Sequence, residues 1–293
     1  MQAPATEGSP PMANILRAWF DDPALLRIQR DDLDFYLPPS ERRDDVIALL
    51  GHIDSALLAG DLKKNTRNTN AGIVRAEGGP LFVKRNNNKG LQYSLRYLFR
   101  PARTLRAAAA AQVLRAAGIH TPRAYGAGER RRGRYLRCCY LVTEALDTTR
   151  SLEALMAVDP SPGLLVDAGE LAAGLHQAGV YHGDLKLTNI YRLDDQLGVW
   201  DLDGVQLFDG PAPQELILRE LGRILSSFII QADQHPALPD SFFRFAPLAD
   251  RLLEAYRRRA PAAPSRAEVI RTAQDRWLQR AELRHSLQVP SVW

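Results

Sequence analysis

Tyr181-His182-Gly183-Asp184-Leu185-Lys186-Leu187-Thr188-Asn189-Ile190, followed by Val199-Trp200-Asp201-Leu202-Asp203-Gly204, is the stretch whose reading decides the fold. Just upstream, Ala168, Leu171, Ala172 and Leu175 recur at i, i+3, i+4, i+7, which predicts a helix with one apolar face, capped at Gly179. The local order is therefore a helix, a tight loop bearing Asp184, and short strands around Asp201. Phosphoryl transfer needs an acceptor hydroxyl aimed at the γ-phosphorus, somewhere for its proton to go, and hard oxygen ligands for a Mg²⁺ that neutralises the phosphates. Asp184 meets the first two needs. Asn189 offers an amide oxygen and Asp201 a carboxylate to the metal, while Lys186 can reach the moving phosphoryl group. His182 reads as structural, bonded to neighbouring backbone. Asp203 reads either as a second metal-facing carboxylate or as a turn residue before Gly204, with the turn preferred.

The pattern H-x-D-x-x-x-x-N, then hydrophobic-D-x-D, resembles the catalytic-loop and metal-loop signature of the protein-kinase-like superfamily. That resemblance implies a lysine on an earlier strand, and Leu81-Phe82-Val83-Lys84 supplies one for the α- and β-phosphates of ATP. A loop over Asn65–Gly72 stands where phosphates are usually covered. It has one glycine, so Thr66 and Thr69 are the candidate phosphate contacts there. Glu144-Ala145-Leu146 follows an apolar strand and lies where adenine would meet the hinge backbone. An alanine-rich helix from Arg103 to Ala117 ends at Gly118, with Pro122 shortly after. Kinases usually carry a glutamate on this helix to pair with the lysine. Its expected position, near Ala107, holds no acid, so Lys84 is expected either to be held by another carboxylate or to be less well ordered.

Working outward, Ile73–Arg75 and Leu81–Lys84 read as a hairpin and Tyr135–Glu144 as further strand. Helices follow on Leu218, Leu221, Leu225 and Phe228, then on Leu248, Leu252 and Tyr256. A capping box, Ser265 with Glu268, opens a last one. The expectation is an α+β, bilobal protein-kinase-like fold, with a β-rich N-lobe holding one helix and a mainly α-helical C-lobe, and a nucleotide cleft where they meet. Residues 1–54 read as an N-terminal extension, partly disordered over the first dozen residues and then helical. Residues 55–147 read as the N-lobe and 148–293 as the C-lobe.

The same phrases, with Leu114-Arg115-Ala116-Ala117-Gly118-Ile119-His120-Thr121-Pro122, resemble the lipopolysaccharide core kinases, the family of Kdo and heptose kinases. The likeness runs from about Asp61 to Phe208. It implies an ATP- and Mg²⁺-dependent enzyme that phosphorylates a sugar of the lipid A–core at the cytoplasmic face of the inner membrane. By position, Lys84 matches the phosphate-binding lysine, Asp184 the catalytic aspartate, and Asn189 and Asp201 the metal ligands.

Composition fits a soluble globular protein: 293 residues, 45% hydrophobic, 25% charged. The formal net charge of +4 is diffuse, which argues against a nucleic-acid partner while permitting other anions. No run is long enough to span a membrane and the N-terminus does not read as a secretory signal. The two cysteines, Cys138 and Cys139, are adjacent and read as reduced thiols in a strand, one of them buried. Arginines recur at 96, 100, 103 and 106 among apolar residues, again at 130, 131, 132 and 134, and at 276, 280 and 284. They suit lipopolysaccharide anions or peripheral attachment to an anionic membrane, the 96–106 segment first. No specific protein partner is expected. The competing readings are a small-molecule kinase of the aminoglycoside or choline type, an atypical protein kinase, and a pseudokinase scaffold.

Overall fold

Tyr135–Glu144 puts Cys138, Tyr140 and Val142 on one face and Cys139 and Leu141 on the other, and all five pack into apolar clusters. Successive side chains on a strand point to opposite faces, so this segment must run through a sheet covered on both sides. The computed structural model has such a sheet. It describes residues 11–159, 161–194, 196–232 and 245–286, and the chain divides into two compact units.

The first unit runs to Ala116 and takes in Thr121–Leu146 and the short piece Leu202–Val205. Its elements are α1 (Pro11–Phe20), β1 (Leu26–Arg30), β2 (Leu33–Leu37), α2 (Arg43–Leu50), α3 (Ile53–Ala59), β3 (Asp61–Asn65), β4 (Thr69–Ala76), β5 (Gly79–Asn87), α4 (Leu91–Arg96), α5 (Arg103–Ala116), β6 (Ala124–Arg132) and β7 (Tyr135–Glu144). The seven strands form one antiparallel sheet in the order β1-β2-β6-β7-β5-β4-β3. Val46, Leu50, Ile53 and Leu57 of α2 and α3 pack with Phe35, Val83 and Tyr140. Leu16 and Trp19 of α1 and Leu105, Ala108 and Ala109 of α5 pack with Ala127 and Cys139. Both cysteines are thus buried, not one, because β7 has a core on each side.

The stretch expected as an extension contributes to this sheet. Leu33, Phe35 and Leu37 are buried in alternation, and β2 returns antiparallel to β1 after Asp31, whose φ of 49° suits a tight hairpin. Gly128 in β6 makes room for that hairpin: a Cβ there would lie 2.2 Å from Phe35 Cδ2. Of the first dozen residues, 1–10 lie outside the described residues, and Pro11 opens α1.

The second unit comprises Ala117–His120, Asp147–Asp201 and the chain from Gln206 onward. It holds α6 (Leu152–Val158), α7 (Gly163–Gln177), β8 (Val180–Tyr181), β9 (Ile190–Leu193), β10 (Gln196–Val199), β11 (Gln206–Leu207), α8 (Gln214–Ala232), α9 (Phe245–Arg259) and α10 (Arg266–Ser286). The periodic residues of α7, Ala168, Leu171, Ala172 and Leu175, are all buried, and α7 packs on α9. The capping box at the head of α10 is formed: Ser265 N donates to Glu268 Oε2 at 3.0 Å and Glu268 N to Ser265 Oγ at 3.3 Å.

Candidate active site

In the second unit, α7 ends and the chain turns through Gly179 (φ 72°) and Gly183 (φ 85°), left-handed conformations that glycine adopts without steric cost. The loop after Gly183 hangs from α8. Fully buried Glu220 accepts the N–H of His182 at 3.1 Å and of Gly183 at 2.7 Å. Its own brace is His176, whose Nε2 lies 3.1 Å away and whose Nδ1 meets Tyr256 Oη at 3.0 Å. Burial pushes the Glu220 carboxyl up. The hydrogen bond from His176 and the nearby histidines and backbone N–H outweigh it and hold the group below its ordinary value. His182 is also fully buried and structural. Its Nδ1 accepts the N–H of Asp184 at 3.3 Å, so Nε2 carries the proton and donates to Trp200 O at 2.9 Å. Trp200 in turn donates Nε1–H to Thr188 O at 2.7 Å and stacks on Tyr191 with centroids 4.8 Å apart. The hydroxyl of Tyr191 lies 2.8 Å from His120 Nδ1, so the segment singled out around His120 is tied to this scaffold. Glu220 escaped the sequence reading, although a lone acid among apolar helix positions was a visible signal.

Asp184 sits at the centre of a cluster of donors. Lys186 Nζ is 2.9 Å and Asn189 Nδ2 3.2 Å from its Oδ2, and Arg223 Nη1 is 3.3 Å from its Oδ1. Arg223 also donates to Gly183 O. Like Glu220, it went unread, although the two lie three residues apart on α8 and so share a face. Asn189 Nδ2 donates as well to Asp184 O at 2.9 Å. A carbonyl only accepts, which identifies that end of the amide as nitrogen and leaves Oδ1 as an acceptor, met at 3.5 Å by the Thr188 hydroxyl. Asp201 is exposed and held at φ 61°, a left-handed conformation uncommon for a residue with a Cβ. An amide oxygen and a carboxylate are the kind of hard donors that Mg²⁺ takes together with nucleotide phosphates, so the residues present fit that ion. Beside Asp184 lies a cavity of about 280 Å³, lined among others by Glu153, Lys186, Arg223, Ser227, Gln231 and Arg276.

In the first unit, Lys84 of β5 is 3.0 Å from Asp203 Oδ2, with both side chains mostly buried. Arg103 Nη1 reaches the same oxygen at 3.5 Å, and Asn86 Nδ2 also lies at 3.5 Å. Asp203 is therefore a carboxylate that holds Lys84, rather than a turn residue alone. Its Oδ1 is buried without a partner among the described residues, an acceptor that a cation or a water would satisfy. The reason no glutamate stands on α5 is packing. Ala107 to Ala111 are all buried, and the turn Leu202–Gly204 packs directly on this helix.

The remaining expected nucleotide contacts are less exposed to a ligand than the sequence suggested. The loop over 65–72 shrinks to Thr66–Asn68, because Thr69–Gly72 belong to β4. Thr66 closes that tip, its Oγ1 donating to Thr69 O at 3.0 Å, and Thr69 Oγ1 donates to Asn86 Oδ1 at 3.2 Å. Glu144 ends β7, with its N–H donated to Arg123 O at 2.9 Å, and Leu146 is half-buried at the end of the unit.

The arginine clusters split into two kinds. Arg103 serves Asp203, Arg106 donates to Tyr97 Oη, Arg130 pairs with Asp32, and Arg131 with Glu129. Arg96, Arg100, Arg132 and Arg134 are exposed. The side chains of Arg280 and Arg284 lie outside those described.

Comparison with known proteins places this arrangement. The model of the lipopolysaccharide kinase (Kdo/WaaP) family matches residues 59–212, just over half the chain and all the loops above. A 3-deoxy-D-manno-octulosonic acid kinase of Vibrio parahaemolyticus is 34% identical over 116 residues, 38% of this chain and 46% of that kinase, so the chain spans about half the length of this curated relative. Among solved structures, WaaP in complex with acyl carrier protein has a TM-score of 0.54 at 21% identity, covering 85% of this chain and 98% of that one. The amicoumacin kinase hAmiN, in complex with AMP-PNP, Ca²⁺ and Ami, has a TM-score of 0.52 at 11% identity, covering 86% and 90%. These two likenesses show an α+β, protein-kinase-like fold. With the family model matched from Ala59 to Ala212, the chain belongs to the lipopolysaccharide kinase (Kdo/WaaP) family.

Proposed function

We propose that this protein transfers the γ-phosphate of ATP to a hydroxyl group of a lipopolysaccharide core sugar. One observation carries the reading: Asp184, inside the family-matched region, is fixed by Lys186 and Asn189 of that region and by Arg223 of α8 beyond it, with room beside it for a small molecule. A carboxylate offers about four lone-pair sites. Three donors occupy as many, and the one left accepts the hydrogen bond of the acceptor hydroxyl and takes its proton as the phosphoryl group arrives. Lys186 stabilises charge on the moving group. Lys84, steadied by Asp203, binds the α- and β-phosphates, and the hinge backbone near Glu144 and Leu146 receives adenine. Asn189 Oδ1 and Asp201 hold Mg²⁺, which when bound neutralises the phosphate oxygens. The pseudokinase reading loses ground because the absent helix glutamate has a substitute in Asp203. The small-molecule-kinase reading, with its acidic pockets for cationic substrates, fits poorly a cavity holding Lys186, Arg223 and Arg276.

The test is transfer of label from γ-labelled ATP to purified lipopolysaccharide core. The Asp184→Asn protein should fold normally and lose at least ~100-fold in rate, and retained labelling would remove Asp184 from the role given to it.

The acceptor is a glycolipid, so the enzyme must work at a membrane surface. No helix among the described residues is long and apolar enough to cross one. The surface that suits peripheral attachment is on the first unit. Leu95 and Phe99 are 52% and 78% exposed, Arg134 stacks over Phe99 at 4.8 Å, and Arg96 and Arg100 flank them. Apolar side chains ringed by arginines favour anionic headgroups.

A further inference from the structure

The cavity beside Asp184 has a wall for which the transfer reaction itself has no use. Arg276 of α10 projects into it, half-buried, and makes no hydrogen bond or ion pair with the described residues. The charged group that acts on it most strongly is like-signed. Burial and then the guanidinium of Arg223 hold it below its ordinary arginine value, with Arg219 adding to the effect and Asp184 and Tyr181 opposing it. Arg223 is already committed to Asp184 and Gly183 O, and Arg219 is paired with Glu215. Two guanidinium groups facing one small cavity repel each other unless an anion joins them. Glu153, which accepts a hydrogen bond from Gln231, lines the same cavity with Ser226 and Ser227, polar groups suited to sugar hydroxyls.

We propose that Arg276, together with Arg223, forms an anion subsite that binds a carboxylate or phosphate carried by the acceptor sugar, and so selects acidic over neutral sugars. This rests on the kinase reading only in calling the ligand an acceptor. Binding at the subsite needs no turnover. Arg276 is the specificity residue: it presents its fork to the anion while Arg223 keeps one arm on Asp184, so that the anion fixes which hydroxyl faces the carboxylate. A volume of about 280 Å³ is at the small end for ligand sites, which suits one sugar unit rather than an oligosaccharide.

The experiment is ligand-observed NMR titration of the full chain with 3-deoxy-D-manno-octulosonic acid against its uncharged methyl ester, and with glucose 6-phosphate against glucose. The unaltered protein should bind at least one charged member at least tenfold more tightly than its neutral counterpart, and which pair shows the gap tells carboxylate from phosphate. Arg276→Gln should abolish the gap and leave the melting temperature unchanged, whereas the exposed Arg271→Gln on the same helix should keep it. Equal binding within both pairs, or a gap that survives in Arg276→Gln, overturns the subsite. If the gap is present but no core sugar is ever labelled from ATP, the anion subsite stands and the kinase reading falls.

Discussion

Asp203 is shared by Lys84 and Arg103, so its removal takes an ion-pair partner from two mostly buried cations at once. Breaking such a pair on one side costs roughly 3–5 kcal/mol in fully buried cases; here, with side chains 13% and 18% exposed, about 2–3 kcal/mol is expected. Asp203→Ala should lower the urea midpoint accordingly and weaken ATP usage at least ~10-fold in kcat/KM. An unchanged ATP dependence would show that Asp203 does not anchor Lys84 for nucleotide binding. The converse change, Ala107→Glu, puts an acid where related kinases carry one. Ala107 is only 1% exposed against packed helix and strand, so overpacking and an unpaired charge should destabilise by at least ~2 kcal/mol without raising activity. Calorimetry and a rate measurement decide it. At this scale the sequence nominates Asp184, Asn189 and Asp201 by fixed spacing and Lys84 by the superfamily pattern of an earlier strand lysine. The pairing of Lys84 with Asp203 was not legible, because it joins residues more than a hundred positions apart and follows from the bulk of five alanines.

At the scale of elements, α8 suspends the loop that carries Asp184 by the buried carboxylate of Glu220, with Arg223 and Ser227 adding bonds from the same helix. Glu220 is depressed in the folded chain. Its contribution to stability is therefore complete above its ordinary value of 4.5 and fades as pH falls through the lower folded value. Glu220→Gln preserves shape and removes the charge. The stability gap between it and the unaltered protein should be widest near pH 7 and should shrink steadily below pH 4.5, read by denaturant titration at several pH values. A gap independent of pH would mean that shape, not charge, is what the loop requires. The helices α5, α7, α8, α9 and α10 were readable from periodicity and caps. The hairpin of β1 and β2 was missed even though Leu33, Phe35 and Leu37 alternate, because its turn, Asp31-Asp32, lacks the glycine that usually announces one. Thr69 to Gly72 looked like loop because polar and small residues fill them, yet β5 pairs along their whole length.

Over the whole molecule, charge sorts into internal fasteners and free surface, a distinction that composition cannot make. Arg103, Arg106, Arg130 and Arg131 are spoken for, so the membrane reading contracts from the original segment to Arg96, Arg100 and their neighbours. Reversing both Arg96 and Arg100 to Glu should weaken co-sedimentation with anionic vesicles at least ~10-fold, at about 1 kcal/mol per arginine, and raised salt should do the same to the unaltered protein. Arg75→Glu, an exposed change on β4, should have little effect.

Cys138 and Cys139 look, side by side, into different cores, and burial lifts the Cys139 thiol to about 11. Neither can meet an alkylating reagent while the sheet is intact, and adjacent sulfurs on one strand cannot be reached from the same side. Counting mass tags on this dipeptide over time would thus register single-face breathing as one adduct and full opening as two, a native two-channel gauge of unfolding that needs no engineered label.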